Sequence, residues 1–285
     1  MPNPTTNDEQ IAYWNEKAGP KWVAMQERMD MQLESFARVV LDRVVLKPGE
    51  RVLDIGCGCG ATTLDAAARV QPGGSATGAD ISRPMLEHAR ERAKAGGIPN
   101  VKFVEADAQT FAFAPQEFDA VISRFGVMFF ADPAAAFTNI RRSLKPGGRM
   151  CFICWRPMLE NSWVMIPLRA AAQHLELPPP PDPTAPGPFA FADADRVRAI
   201  LNTAGYRDIH IDKHDSRLAI GGTGELDKAV DSAMDIGPIS ALLLDKSDEV
   251  RNSVRKSIRE ALKPHLTPSG VVVDWAAWLV SARNA

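Results

Sequence analysis

The segment VLDIGCGCG, at residues 52–60, constrains the fold of this chain more than any other segment. Its apolar residues predict a buried strand, and ATTLDAAARV at 61–70 predicts a helix directly after the glycines. Because glycine has no Cβ, the backbone can turn sharply between the two elements and approach a ligand closely. The free N–H groups and the positive dipole end of the helix favour an anionic group at this turn. The segment therefore predicts a strand–loop–helix unit that holds a ligand.

Strands and helices continue to alternate after this unit. Further strands are expected at 75–80, 101–107, 118–125 and 149–155, and helices at 83–96 and 134–144. Strands that alternate with helices of about 10 to 14 residues form a mostly parallel sheet with helices on both faces. The sequence therefore predicts an α/β fold with a doubly wound sheet.

Outside the core the pattern changes. We expect four segments: a helical N-terminal segment at 1–45, the core at 46–155, a proline-rich insert at 156–190, and a C-terminal part of the sheet at 191–285 with a helical insert at 225–264. Prolines are concentrated in the run LPPPPDPTAPGPF at 177–189. This run predicts a stiff surface connection, with a mobile flap over the site as the alternative.

The balance of charges argues against two classes of partner. The chain has 33 Lys and Arg residues against 35 Asp and Glu residues, a formal net charge of −2, so charge alone does not draw it to nucleic acid or to an anionic membrane. The polar start, MPNPTTNDEQ, has no charged-then-apolar signal, and no apolar run approaches the ~18 residues of a spanning helix. We expect a cytoplasmic protein without nucleic acid or stable membrane association, and the oligomeric state stays open.

Two classes of cofactor fit the glycine turn. Gly56-x-Gly58-x-x-Ala61 matches a dinucleotide fingerprint, with Asp80 about 20 residues further on as the acid for the ribose. The alternative is S-adenosylmethionine, whose methionyl end carries both an ammonium and a carboxylate. Asp54, two residues before the first glycine, would repel a pyrophosphate and attract an ammonium. The charges therefore favour the zwitterionic ligand.

Four ordered motifs resemble one family. VLDIGCGCGATTL is similar to the first motif, D/E-x-G-x-G-x-G, of class I S-adenosylmethionine-dependent methyltransferases. GADISRPMLEHAR, EADA and FDAVISRFGVMFF are similar to the ends of the family's second, third and fourth strands, and LKPGGRM to its turn into the fifth. The resemblance covers residues 50–155, and more loosely 190–214 and 272–283. Within the family, the chain resembles the small-molecule type that includes the ubiquinone and menaquinone methyltransferases.

The resemblance implies a Rossmann-like methyltransferase fold, with a seven-stranded sheet whose last strand is antiparallel, a helical N-terminal lid and helical inserts. It implies S-adenosyl-L-methionine as cofactor and S-adenosyl-L-homocysteine as product. It implies that Asp80 binds the ribose, that Ile81 packs on adenine and that Asp107 accepts the adenine amino group. The full set of residues implied to bind the cofactor is Asp54, Gly56, Cys57, Gly58, Gly60, Asp80, Ile81, Asp107, Ala108, Ser123 and Arg124.

The four cysteines are not expected to hold a metal. Cys151 and Cys154 lie three apart in an expected strand, so their side chains point to opposite faces and cannot reach one ion. Cys57 and Cys59 fill the variable positions of the glycine motif. We therefore expect no metal site, and we expect Cys151 and Cys154 to be small core residues.

The substrate side gives weaker signals. Methyl transfer needs a general base only if the acceptor is protonated at the working pH. His174 and Asp132 are weak candidates for this role, and a helix cap or a turn is the alternative role of Asp132. By resemblance, Tyr13, Trp14 and Trp22 are expected to line the lid, with plain helix packing as the alternative.

The leading hypothesis is transfer of a methyl group to an O, N or C atom of a small, apolar or aromatic metabolite. A phospholipid or a protein as acceptor is the alternative within the same class. An NAD-linked oxidoreductase and a catalytically inactive binding module are the alternatives outside it. The tetrapeptide Ser123-Arg124-Phe125-Gly126 stands where amino methyltransferases of DNA usually carry an N-P-P-Y type sequence, which argues against methylation of DNA amino groups.

Overall fold

The computed structural model of the chain describes residues 7–179 and 182–285. Within these residues, eight strands form one sheet. Their bounds are β1 Arg51–Ile55, β2 Ser75–Asp80, β3 Val101–Glu105, β4 Phe118–Arg124, β5 Leu144–Trp155, β6 Tyr206–Ile220, β7 Leu266–Thr267 and β8 Gly270–Asn284. The order across the sheet is β3-β2-β1-β4-β5-β8-β6, and β7 pairs with the start of β8.

The strand directions confirm the predicted fold class. Strands β1 to β5 are parallel to one another, whereas β8 lies antiparallel between β5 and β6. Seven strands form the main order, as expected, and the two-residue strand β7 is an addition. A strand of two residues is too short to produce an alternation of apolar and polar residues, so no pattern in the sequence predicts it.

Helices cover the sheet and extend beyond it. Their bounds are α1 Asp8–Tyr13, α2 Gly19–Ala24, α3 Gln26–Val44, α4 Ala61–Arg69, α5 Arg83–Ala95, α6 Pro133–Ser143, α7 Ser162–Ala171, α8 Ala194–Thr203, α9 Leu226–Asp235, α10 Pro238–Leu242 and α11 Asp248–Leu262. A π-helical turn, Trp14–Ala18, joins α1 to α2.

The described part of the N-terminal segment is not one continuous helix. Its helix is interrupted at the π-turn and again at Met25. Helix α3 buries an apolar stripe that includes Phe36, Val40 and Leu41, and this stripe packs on β4 and β5. Helix α3 is therefore part of the layer on the sheet. A lid formed by the N-terminal segment stays a prediction from the sequence.

The C-terminal helices form a cap beside the sheet. Helices α7, α9, α10 and α11 pack on one another, and α7 and α9 also contact β8. They come from the two inserts expected at 156–190 and 225–264. Within the proline-rich run, Pro180 and Pro181 lie outside the described residues.

The sheet order determines where a ligand can bind. Strand β1 pairs with β2 on one side and with β4 on the other, so the chain reverses its direction of winding at β1. In open α/β sheets, ligands bind at the carboxyl ends of the strands beside such a reversal. Asp54, Asp80 and Arg124 lie at or next to these ends. Across the described ranges, no helix has both the length and the apolar composition to cross a membrane.

Candidate functional site

The glycine turn follows β1 at residues 56–60. Gly56, Gly58 and Gly60 have φ angles of +66°, +54° and +82°, which are left-handed values that favour glycine. The N–H groups of Gly56 and Cys57 both donate to the carbonyl oxygen of Ala79, at 2.8 and 3.2 Å. These bonds fasten the turn to the end of β2.

A close backbone contact joins this turn to the loop after β4. A Cβ added to Gly56 would lie 2.5 Å from the Cα of Gly126, and one added to Gly126 would lie 2.7 Å from the Cα of Gly56. No side chain fits between the two loops. The contact therefore needs glycine on both sides, and it brings the ends of β1 and β4 together.

Asp54 is buried at the end of β1, with 1% of its surface exposed. Its Oδ2 accepts a hydrogen bond from Thr63 Oγ1 at 2.7 Å, whereas its buried Oδ1 has no partner among the described residues. Burial raises the pKa of Asp54 from 3.8 to about 7, although the Thr63 hydrogen bond and the charge of Arg124 oppose this shift. A buried carboxylate oxygen without a partner is a candidate contact for a cation.

Asp80 closes β2 and accepts two backbone hydrogen bonds. The N–H of Gly58 donates to its Oδ2 at 2.7 Å, and the N–H of Ser82 donates to its Oδ1 at 2.9 Å. Burial raises the pKa of Asp80, and these hydrogen bonds oppose that shift. The structure thus brings the acid at the end of β2 into contact with the glycine turn.

Asp107 and Ala108 lie in the turn after β3. Asp107 Oδ1 accepts the N–H of Gln109 at 3.0 Å, and the carbonyl oxygen of Ala108 accepts Asn139 Nδ2 at 2.9 Å. Because β3 is the direct neighbour of β2, this turn lies beside the end that carries Asp80. The three predicted acids therefore stand at the carboxyl ends of three consecutive strands.

Ser123 and Arg124 end β4. Ser123 Oγ accepts the N–H of Gly126 at 3.2 Å, so it shapes the loop that contacts Gly56. Arg124 Nη2 lies 3.4 Å from Asp30 Oδ1 of α3, and Arg92 Nη2 lies 2.9 Å from Asp30 Oδ2. Helix α3 thus holds Arg124 in place through Asp30.

Beyond Arg124 the structure brings aromatic rings from distant segments together. Phe125, whose φ is +62°, stacks on Trp155 with ring centroids 3.9 Å apart and an interplanar angle of 15°. Phe36 of α3 meets both rings edge-on, at 5.3 and 5.4 Å. Together with two further tryptophans, these rings form what we call the aromatic wall: Phe36, Phe125, Trp155, Trp163 and Trp275.

His214 borders the aromatic wall and was not singled out from the sequence. Its ring lies 5.7 Å from that of Phe36, and its Nε2 lies 3.0 Å from Ser216 Oγ. Burial lowers the pKa of His214 below its ordinary value, and Asp215 opposes this shift. The alternation in RDIHIDKH places His214 on one face of its strand, but only the pairing of β6 with β8 puts that face beside α3.

The two candidate bases have other contacts. His174 Nε2 pairs with Ser257 Oγ of α11 at 2.8 Å, on the exposed side of the cap. Asp132 caps α6, because its Oδ1 accepts the N–H of Ala135 at 3.0 Å. For Asp132 the structure therefore selects the helix cap, the alternative role, and it gives neither residue a contact with the glycine turn.

The lid candidates lie across the carboxyl edge of the sheet. The ring of Trp14 meets that of Phe129, which follows β4, at 5.2 Å, and that of Trp22 at 6.1 Å. Tyr13 packs on Trp14 at 5.7 Å but keeps 48% of its surface exposed. Trp14 therefore contacts the segment after β4, and Trp22, which is partly buried, packs against the core.

The cysteines are buried and unpaired, and burial raises the pKa values of their thiols. Cys151 and Cys154 are fully buried in β5 as core residues. In the described part of the chain, the structure brings no three His, Cys, Asp or Glu side chains together as metal ligands.

The sequence family agrees with this geometry. A family model described as a methyltransferase domain matches residues 52–148, which run from β1 into β5. Residues 52–148 belong to the methyltransferase domain family. The resemblance seen in the motifs is thereby confirmed for this part of the chain.

Relatives of the methyltransferase domain include enzymes named for small metabolites. Aklanonic acid methyltransferase DauC from Streptomyces sp. (strain C5) is 40% identical over 104 residues, which are 36% of this chain and 47% of that protein. A demethylmenaquinone methyltransferase from Thermus thermophilus is 39% identical over 131 residues, 46% of this chain and 59% of that protein. The match thus spans about half the length of these curated relatives.

A solved structure shows the same fold over most of the chain. Phosphoethanolamine N-methyltransferase 2 from Haemonchus contortus, in complex with S-adenosyl-L-methionine, aligns with a TM-score of 0.53 at 21% identity. The alignment covers 87% of this chain and 51% of that one. The similarity of fold to this structure therefore extends beyond residues 52–148.

Proposed function

We propose that the protein transfers a methyl group from S-adenosyl-L-methionine to a small metabolite. The observation that carries this proposal is the unpartnered Oδ1 of Asp54, buried at the tip of β1 inside a methyltransferase domain. The ammonium group of a methionyl ligand would pair with this oxygen, whereas a pyrophosphate would be repelled by it. The same oxygen therefore argues against the dinucleotide alternative.

The other residues of the site fit the same ligand. Asp80 and the turn at 81–83 are proposed to hold the ribose and one face of adenine, and Asp107 with Ala108 the edge of adenine. Of the N–H groups in the glycine turn, those of Gly56, Cys57, Gly58 and Gly60 are bonded within the protein. The N–H groups at the start of α4 are left for the ligand's carboxylate.

The aromatic wall supports an apolar or aromatic acceptor. It adjoins Arg124 at the carboxyl edge, and two of its members, Phe125 and Trp163, are only partly buried. We propose that the acceptor lies against this wall and meets His214 at its border. The names of the two relatives support the same class, since both denote methyltransferases of small metabolites.

The protein's contribution to such a reaction is placement. When bound, the cofactor supplies a methyl group attached to a cationic sulfur. The sulfur is the leaving group and keeps the electrons of the broken carbon–sulfur bond. The chain holds the two reactants in line and excludes water, an effect that can supply ~7 to 11 kcal/mol. The contact of Trp14 with Phe129, which follows β4, supports the proposal that the N-terminal segment covers the carboxyl edge. The cytoplasmic location and the absence of a nucleic-acid partner stay predictions from the sequence.

A thermal-shift panel tests the proposal directly. The ligands are S-adenosylhomocysteine, S-adenosylmethionine, NAD and NADP. A ligand present at about 100 times its dissociation constant adds ~2.7 kcal/mol to the free energy of unfolding, which raises the melting temperature by several degrees. We expect this rise with the two sulfur nucleosides only. A rise with a dinucleotide only would overturn the proposal and reassign Asp54 and Asp80.

Replacing Asp80 by alanine is expected to weaken the binding of S-adenosylhomocysteine severely. The structure adds a second effect, because both oxygens of Asp80 accept backbone N–H groups. Leaving these donors unpaired should lower the free energy of unfolding by about 2 kcal/mol. Calorimetric titration gives the affinity and urea unfolding the stability. Unchanged affinity would remove Asp80 from the cofactor site.

A further inference from the structure

Asn15, in the π-turn between α1 and α2, makes a set of contacts that its position in the sequence does not suggest. Its Nδ2 donates to the carbonyl oxygen of Ile81 at 2.8 Å, and its Oδ1 accepts the N–H of Arg83 at 2.9 Å. Nδ2 also donates to the carbonyl oxygen of Ile11, one turn back in its own helix. Both N–H donors of this amide, and its oxygen, therefore have a partner.

The two contacted peptide groups flank Ser82, which is fully buried. Ser82 Oγ donates to the carbonyl oxygen of Trp14 at 2.9 Å, and the N–H of Ser82 donates to Asp80. The N-terminal segment thus binds the turn after β2 at three consecutive residues. Those residues directly follow the acid proposed to hold the ribose.

Gly19 makes the contact between Ser82 and the carbonyl oxygen of Trp14 possible. A Cβ at this position would collide with the carbonyl oxygen of Trp14 and with Ser82 Oγ. The N–H of Gly19 also donates to the carbonyl of Trp14 across the π-turn. The widened helical turn therefore presents the carbonyl of Trp14 to Ser82 and the side chain of Asn15 to the two peptide groups that flank Ser82.

We infer that Asn15 is a positioning residue for cofactor binding: it fixes the turn 81–83 and, through Ser82, the carboxylate of Asp80. This inference rests on the proposed function. Asparagine suits the position because its amide donates to one peptide group and accepts from another. An aspartate of the same shape accepts from Arg83 but places a carboxylate against the carbonyl oxygen of Ile81. The donor, rather than the volume, should therefore decide the effect.

The test compares Asn15→Ala and Asn15→Asp with a matched control. Asn100 Nδ2 likewise donates to two backbone carbonyls, those of Ala67 and Gly74, but at the amino edge of the sheet. Asn100→Ala removes the same type of contact at the opposite edge. Urea unfolding of each variant establishes that it folds, and titration calorimetry with S-adenosylhomocysteine gives the dissociation constant.

We expect the dissociation constant to rise about tenfold or more in both Asn15 variants, since several hydrogen bonds that place the binding turn are lost. For Asn100→Ala we expect a change within about twofold, because a contact remote from the site acts on folding and not on binding. Hydrogen exchange supplies a second readout. The amide of Arg83 should lose protection in Asn15→Ala. In the wild-type protein we expect the ligand to protect the amides of 8–24, and we expect this protection to be absent in Asn15→Ala.

The outcomes separate this inference from the proposed function. If the wild-type protein fails to bind S-adenosylhomocysteine, the proposed function falls. If the wild-type protein binds it and Asn15→Ala binds equally well, only the role of Asn15 is overturned. Equal weakening by Asn100→Ala would reduce Asn15 to a general stabilising residue and would also overturn the inference. Normal affinity in Asn15→Asp would show that the volume of the side chain decides the affinity. It would overturn the inference that the hydrogen bond donated by Nδ2 is required.

Discussion

Replacing Asp54 by asparagine is expected to weaken the binding of S-adenosylhomocysteine by about 100-fold or more, since removing one partner of a buried charge pair costs about 2–5 kcal/mol. Asparagine keeps an oxygen for the hydroxyl of Thr63, so the local hydrogen bond is retained. It lacks the charge that the ligand's ammonium requires. Titration calorimetry measures the effect.

The affinity of the wild-type protein should also depend on pH. With a pKa of about 7 in the protein without ligand, Asp54 is ionised in a minority of molecules at lower pH and in most molecules at higher pH. Because the ionised form binds the ammonium, affinity should rise about tenfold between about pH 6 and pH 8. The Asp54→Asn variant should show a flat profile over the same range.

The same residue has the opposite effect on the stability of the ligand-free protein. Its pKa is raised from 3.8 to about 7 on folding, so the folded state holds the proton more tightly than the unfolded state. This contribution to stability is fully present below about pH 4 and is lost as the pH rises through about 7, a loss of about 4 kcal/mol. The stability of wild type relative to Asp54→Asn should fall accordingly.

Asp119 provides the control, because it is a carboxylate at the amino edge of the sheet. It accepts the N–H of Arg51 and pairs with Lys145, and these contacts hold its pKa below the ordinary value. Asp119→Asn should leave the affinity for S-adenosylhomocysteine unchanged. The effect of pH on stability should have the opposite sign to that of Asp54. Because the pKa of Asp119 is lowered on folding, its ionised side chain stabilises the folded state at pH values above the unfolded pKa, and Asp119→Asn removes this stabilisation. Equal loss of affinity in the two variants would contradict the assignment of Asp54.

The part of the site that could be predicted from the sequence is the part carried by strand ends. Asp54, Asp80 and Asp107 each follow a short apolar run, and the carboxyl ends of parallel strands meet at one edge of a sheet. The glycines between Asp54 and α4 predict a turn because few other residues adopt their φ angles. These signals are local, so a single sequence is enough to read them.

The contacts that could not be predicted join segments far apart in the chain. The apolar periodicity over 8–45 gives no sign of the π-turn, because its contacts are to Ser82, some 68 residues away. Asn15 looks like an ordinary polar residue on a helix until that contact is seen. Likewise, Phe36, Trp155 and His214 come together only through the packing of α3 on β5 and β6.

The residue pattern also predicts strands that are too short where strand pairing extends beyond the apolar alternation. The residue pattern of WAAWLVSAR predicts a last strand at 275–283, whereas the observed strand is Gly270–Asn284. Its partner runs from Tyr206 to Ile220. The extra residues pair with each other, for example Leu218 with Val273. Backbone hydrogen bonds between two strands hold such residues extended whatever their side chains are. Local alternation of residue types therefore sets a lower limit on strand length.

Gly56→Ala should produce the largest loss of stability, about 3 kcal/mol or more. A left-handed backbone costs an L-residue about 1–2 kcal/mol, and forcing extra atoms into a packed contact costs about 1–3 kcal/mol. Both terms apply at Gly56, where φ is +66° and the added Cβ would lie 2.5 Å from the Cα of Gly126. Urea unfolding measures the loss.

Gly97→Ala separates the two terms. Gly97 follows α5 with a φ of +61°, close to that of Gly56, but nothing lies within 4 Å of the position of its Cβ. This variant should therefore lose only the backbone term, about 1 kcal/mol. Equal losses in the two variants would show that the loop after β4 moves away from the added Cβ without lowering the free energy of unfolding. A larger loss at Gly56 would show that the backbone contact with Gly126 holds the ends of β1 and β4 together, and with them the spacing between Asp54 and Arg124.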